Sequence, residues 1–241
     1  MRYRPLLLTG LLTASCALSA IAEPKPAESF TAERNKAVLD ALPFANTQAF
    51  DDAKRGFIAE WPEGKVTDKD GHLAWNMAAY AFLNGKSAPD TVNPSLWRQA
   101  QLNAIHGLFE VTEGMYQIRG MDLANMTIIE GKTGLIIIDP LLTPATAKAG
   151  LELYYQNRPQ KPVVAVLYTH NHADHFGGVK GVIDEADVRA GKVKVYAPYG
   201  FMQHAVSENV IAGNAMSRRA TYQFGAQVPP GERGHVDTGL G

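Results

Sequence analysis

The chain has 241 residues, 46% hydrophobic and 20% charged, a balance that suits a soluble globular protein with a sizeable buried core in one or two domains. Lys plus Arg number 23 against 24 for Asp plus Glu, which excludes the one-sided basic surface that would announce nucleic acid as a partner. A single cysteine, Cys16, excludes an internal disulfide.

The first 22 residues differ from all that follow. Arg2 and Arg4 precede the apolar, small-residue run "PLLLTGLLTASCALSA", and "AIA" stands just ahead of Glu23, the pattern of a secretory signal peptide cleaved after Ala22. The run is shorter than the roughly 20 residues a spanning helix needs, so no stable membrane span is expected and the mature protein is expected in the periplasm or the medium. Cleavage also removes Cys16, leaving only His, Asp and Glu to build a metal site.

Residues 23–30 read as an exit segment. "TAERNKAVLDAL" predicts a helix capped by Thr31 and stopped by Pro43, and "DDAKRGFIAEW" opens on a capping aspartate. "GHLAWNMAAYAFLNG", residues 71–85, fits either a helix or a buried strand. Turn chemistry at Asn93-Pro94 introduces a helix from Ser95 to about Ala104. Residues 23–106 are thus expected to form a mostly helical N-terminal extension.

From Gly107 the pattern changes. "LFEVTEGMYQIRG" alternates about a turn at Glu113-Gly114, "NMTIIEGKTGLIIIDP" is two β-rich runs joined by Gly131 to Gly134, and "TPATAKAGLELYYQN" has helical spacing. "KPVVAVLYTH" and "VKVYAPYGF" read as further strands. This order predicts an α/β layered domain over 107–241, opened by antiparallel hairpins.

Between the last two strands lies "YTHNHADHFGG", which holds three of the seven histidines. At the C-terminal end of a buried strand, His170 and His172 are two residues apart in extended chain, point the same way and can share one metal ion. Asp174 and His175 follow as the chain turns and can serve a second ion, while Gly177 and Gly178 let backbone pass close by. Three imidazoles and a carboxylate without sulfur suit Zn²⁺, and two such ions about 3.5 to 4 Å apart are hydrolase machinery.

"THNHADHFGG" resembles the T-H-x-H-x-D-H-x-G-G signature of the metallo-β-lactamase fold superfamily. The resemblance implies an αββα sandwich and two Zn²⁺ ions, the first on His170 and His172, the second on Asp174 and His175, with Asp174 also orienting the attacking water. Asp139, ending "GLIIID", matches the aspartate that braces the histidine loop. "FDDAKRGFIA", "TVNPSLWRQAQLN", "GLFEVTEGMYQIRG", "RPQKPVVAV", "GGVKGVIDEADV" and "SENVIAGNAMSRRA" further resemble secreted alkyl sulfatases, which implies hydrolysis of alkyl sulfates such as dodecyl sulfate to alcohol and inorganic sulfate by a homodimer.

In those enzymes the remaining ligands come later in the chain, so the expectation here is the N-terminal half of the sandwich, with the apolar faces of "GLIIID" and "VVAVLY" lacking a covering layer. Two alternatives stand beside it: a periplasmic metallo-β-lactamase, and a truncated metal-binding fragment without activity. His235, in "RGHVD", is read as a loop residue without a ligand role, and His72, His106 and His204 as bland. Arg218 and Arg219 together offer guanidinium groups that match an oxyanion. Trp61, Trp75 and Trp97 are expected to pack rather than to line an alkyl channel.

Overall fold

A computed structural model describes residues 24–225 and 227–237; the signal peptide read over residues 1–22 lies outside the described residues. Helix α1, Ser29–Ala41, begins two residues before Thr31, with Glu28 at its N-cap and Leu42 at its C-cap ahead of Pro43. Helix α2, Gln48–Lys54, is capped at Thr47 rather than by Asp51 or Asp52, and Asp51 sits in its first turn, where a carboxylate complements the helix dipole. The ambiguous stretch 71–85 is both things in turn: strand β3, Leu73–Asn76, and then a 3-10 segment, Met77–Leu83. Helix α3, Pro94–Asn103, starts on the Asn93 side chain, which accepts from the Ser95 amide, with Pro94 in the first turn where a missing N–H costs nothing.

One mixed sheet organises the rest. Strands β1 (Phe57–Ala59), β4 (Gly107–Thr112), β5 (Met115–Arg119), β6 (Met126–Glu130), β7 (Leu135–Ile138), β8 (Val163–Leu167) and β9 (Lys194–Tyr196) lie side by side in that order. Pairing is antiparallel from β1 to β7 and parallel from β7 to β9. The change of sense requires a crossover; helix α4, Pro144–Asn157, makes it between β7 and β8, and the short helix α5, Glu185–Arg189, lies in the connection from β8 to β9. The extension thus contributes an edge strand to the sheet, and its hairpin of β2 (Lys65–Thr67) and β3 adds Val66 to the main core.

The sheet's two faces are unlike. Tyr116, Ile118, Met126, Ile128, Leu135, Ile137 and Val166 point one way and are buried with Ala147, Leu151 and Tyr154 of α4. Gly150 lets α4 sit closely on the sheet: a Cβ there would meet Met126 at 2.9 Å and Ile118 at 3.2 Å. Ile136, Ile138, Ala165 and Leu167 point the other way and are only half-buried. The apolar runs "GLIIID" and "VVAVLY" are therefore covered on one side and half open on the other. No helix among the described residues is long and apolar enough to cross a membrane.

Candidate metal centre

At the C-terminal ends of β7 and β8 two loops meet. The first leaves β7 through Asp139 and Leu141, both in the left-handed region with φ of 54° and 62°, an unfavourable conformation for side-chain-bearing residues that must be imposed by surroundings. Asp122 imposes it from below. It is almost fully buried, its Oδ1 accepts from the Leu123 amide at 2.6 Å, and its Oδ2 accepts from the Leu142 amide at 3.2 Å and from the Thr146 hydroxyl. Burial raises the Asp122 carboxyl above its ordinary value despite these donors. Thr143 and Thr146 then cap α4 reciprocally.

The second loop carries the histidines and packs onto the first. The Gly178 amide donates to Leu141 O at 2.8 Å. A Cβ on Gly177 would lie 2.3 Å from Leu142 O, and one on Gly178 2.1 Å from Pro140 O. The paired glycines thus answer to the Asp139–Thr143 backbone, a packing reason that periodicity alone does not reveal. Tyr168 and Phe176, flanking the loop, both pack on Phe201, with ring centroids 5.4 and 5.1 Å away. Phe201 opens helix α6, Phe201–Val206, which continues into a π-helical turn, Ser207–Ile211, and then helix α7, Gly213–Gln223.

His170, His172 and His175 come together: the His170 ring centroid is 4.6 Å from that of His172 and 4.1 Å from that of His175. Their outer nitrogens are all engaged. Asp139 Oδ1 accepts from the Thr169 amide at 2.8 Å, and its Oδ2 accepts from the Thr169 hydroxyl at 2.6 Å and from His175 Nδ1 at 2.8 Å. Since the Thr169 proton is given to Asp139, its oxygen can only accept from His170 Nδ1, 2.9 Å away. His172 Nε2 lies 3.1 Å from Glu208 Oε1 in the π-helical turn, and that carboxylate can only accept.

The inner atoms follow by elimination. His170 Nε2 and His172 Nδ1 face each other at 3.0 Å, and His175 Nε2 faces Asp174 Oδ2 at 3.3 Å; in neutral rings protonated on their outer nitrogens these inner nitrogens carry lone pairs. Burial pushes the His170 imidazole below its ordinary pKa, and His175 and His172 push the same way, which favours the neutral ring. Lone pairs turned on one another repel unless a cation lies among them, so this donor set fits a divalent metal. Asp139, His170 and His175 also offer donor atoms within 4.8 Å of one another, but both Asp139 oxygens already hold protons from Thr169 and His175, which makes Asp139 a brace. Asp68, Asp70 and His72 form another such group on the β2–β3 hairpin, with Asp68 accepting from the Asp70 and His72 amides.

A cavity of about 820 Å³ opens beside the cluster, lined by His172, Asp174, Glu208, Arg219, Leu123 and Phe224 among others. Of the arginine pair, Arg219 lines it and Arg218 does not. His235 lies elsewhere, its Nδ1 2.7 Å from Val228 O and its ring 6.4 Å from that of Tyr80. Trp97 is buried, while Trp75 and Trp61 donate to Gly120 O and Lys65 O; none lines this cavity. Glu208 is the residue that sequence reasoning missed. A lone glutamate in "SEN", far from the histidines, carries no spacing signal.

A sequence profile of the metallo-β-lactamase superfamily matches residues 119–240. The chain is 57% identical to an (R)-specific secondary-alkylsulfatase of Pseudomonas sp. over 98% of its own length and 36% of the relative's. It is 53% identical to an alkyl/aryl-sulfatase of Saccharomyces cerevisiae, over 90% and 34%. The solved structure of a stereoselective inverting sec-alkylsulfatase from Pseudomonas sp. superposes with a TM-score of 0.85 at 60% identity, covering 90% of this chain and 34% of that one. The chain spans about a third of the length of these relatives.

Proposed function

The chain belongs to the metallo-β-lactamase superfamily, and from that premise we propose that it carries metal-binding machinery of an alkyl sulfatase, which converts an alkyl sulfate and water into an alcohol and inorganic sulfate. The observation that carries the proposal is the set of inward-facing donors, His170 Nε2, His172 Nδ1, Asp174 Oδ2 and His175 Nε2, beside a cavity with an arginine in its wall. The substrate class comes from the alkylsulfatases that the chain resembles at 53 to 57% identity.

His170 and His172 would hold a first Zn²⁺, Asp174 and His175 a second. The chemistry such ions supply when bound is Lewis acidity, which readies water for attack near neutral pH and offsets the charge of the ester. Around it the chain's own residues divide the work. Asp174 reaches the cavity and accepts a hydrogen bond from the attacking water, fixing its direction. Asp139 and Thr169 hold the imidazoles of His175 and His170 in one tautomer. Arg219 offers its guanidinium to the sulfate oxygens, and Leu123, Leu142, Met216 and Phe224 give the alkyl chain an apolar wall.

Secretion belongs to the same proposal, with mature protein beginning at Glu23, as does a homodimer for the active enzyme. The functional test is sulfate release from dodecyl sulfate by the zinc-loaded protein extended to the length of its sulfatase relatives, beside its action on a β-lactam. Sulfate release with slow β-lactam turnover is expected; rapid β-lactam hydrolysis without sulfate release would replace the sulfatase with a β-lactamase.

A further inference from the structure

His170 and His175 have their outer nitrogens held from nearby, by Thr169 and Asp139. His172 has no such neighbour in its own loop. Its Nε2 faces Glu208 Oε1 at 3.1 Å, and the other oxygen of that carboxylate, Oε2, accepts from the side-chain amide of Asn171 at 2.7 Å. Asn209 completes the grip, donating from its side chain to Asn171 O at 3.4 Å and to Ala205 O at 2.9 Å. Consecutive residues of a regular α-helix diverge by about 100° and do not serve one target. Here the chain is wound wider: the Ala212 amide donates to Ser207 O, five residues back, at 2.9 Å. Wider winding of this kind is a recurrent feature of functional sites.

We propose that Glu208 is the positioning residue of His172. Its carboxylate, which can only accept, keeps the imidazole proton on Nε2 and so presents the Nδ1 lone pair to the metal position beside His170 Nε2. The π-helical turn is the device that delivers Glu208 and Asn209 together, clamping the residue between the two histidines. The role deepens the metal assignment proposed above and rests on it for its purpose, though the tautomer itself is a property of the metal-free chain.

Two measurements test it. In the metal-free chain, imidazole nitrogen shifts by NMR should show His172 protonated on Nε2, and Glu208→Ala should turn it into a mixture of tautomers while His170 and His175 keep theirs. In competition with a chromophoric chelator, Glu208→Ala should bind zinc about 10 to 100-fold more weakly than the parent, with an unchanged metal-free circular dichroism melt. Glu208→Gln, whose carbonyl can still accept from Nε2, should recover most of the loss. Parental tautomer and zinc affinity in Glu208→Ala would overturn the proposal. So would a failure of Glu208→Gln to rescue, joined to an altered cobalt absorption spectrum, because Glu208 would then be a ligand itself. A parent chain that binds no zinc yet shows the Glu208-dependent tautomer would count against the metal assignment alone and support the positioning role.

Discussion

At the scale of single residues, the centre depends on which atom of each side chain is left over after its neighbours have been served. Asp139 takes three donors at once, and with the outer nitrogens committed a neutral ring turns its inner lone pair to the metal position. In the protein extended to the length of its relatives, replacing His170 or His172 by alanine should therefore abolish the first metal, which elemental analysis of the purified variants reads directly; undiminished metal content in either variant would contradict the assignment. Asp122, one layer down, makes a pH prediction. Burial raises its folded carboxyl above the unfolded value, so its protonation favours the native state. That contribution is complete below the unfolded pKa of about 3.9 and is lost as the pH rises through the folded value. Asp122→Asn, which does not titrate, should gain stability relative to the parent as the pH rises above about 4. Urea unfolding at several pH values checks this; parallel profiles would refute it.

At the scale of elements, the histidine loop is pinned by three separate pieces of the fold: the Asp139–Thr143 loop beneath it, Phe201 at the start of α6 beside it, and the π-helical turn across from it. The first contact is the tightest. Gly178→Ala would drive a methyl group to 2.1 Å from Pro140 O and 2.9 Å from the Ala147 Cβ, and neither the strained loop nor the first turn of α4 can retreat cheaply. The expected cost is that of overpacking, about 1 to 3 kcal/mol. Thermal unfolding of the metal-free variant should show it, and zinc binding should weaken as well because Asp174 and His175 lie just upstream. A melting temperature equal to the parent's would mean that the two loops are not locked together.

At the scale of the whole molecule, one face of the sheet is closed by α4, while Ile136, Ile138, Ala165 and Leu167 leave the other half open. Half-open apolar strands of this kind bind hydrophobic dyes and associate, so the 241-residue chain should enhance the fluorescence of such a dye, and Ile136→Ser should reduce the signal. The proposed ligands number two for each of two ions, whereas stable zinc sites use three or four protein ligands. The chain by itself is therefore expected to hold zinc weakly, with little thermal stabilisation, and to leave dodecyl sulfate essentially unhydrolysed. Calorimetry of zinc binding and a sulfate-release assay decide this. Tight zinc binding with turnover would mean that a residue such as Glu208 completes the ligand set.

What the sequence by itself determined is what depends on local chemistry. The strands of "GLIIID" and "VVAVLY", the helix of "TPATAKAGLELYYQN", the Asn93-Pro94 helix start and the grouping of His170, His172, Asp174 and His175 were all legible, because alternation, capping and close spacing are properties of neighbouring residues. The resemblance of "THNHADHFGG" to a superfamily signature added Asp139, thirty residues from Thr169, which spacing could not have supplied. Only the tertiary structure decided the rest. The stretch from Gly71 to Gly85 divides into strand and 3-10 segment because Leu73–Asn76 pairs with Lys65–Thr67, and pairing across a chain is invisible to local pattern. Arg219 parts from Arg218 because the helix turns only one of them to the cavity. Glu208 reaches His172 through a widened helical turn and a parallel crossover, and the tautomer of a histidine depends on whichever partner the folded chain carries to its outer nitrogen.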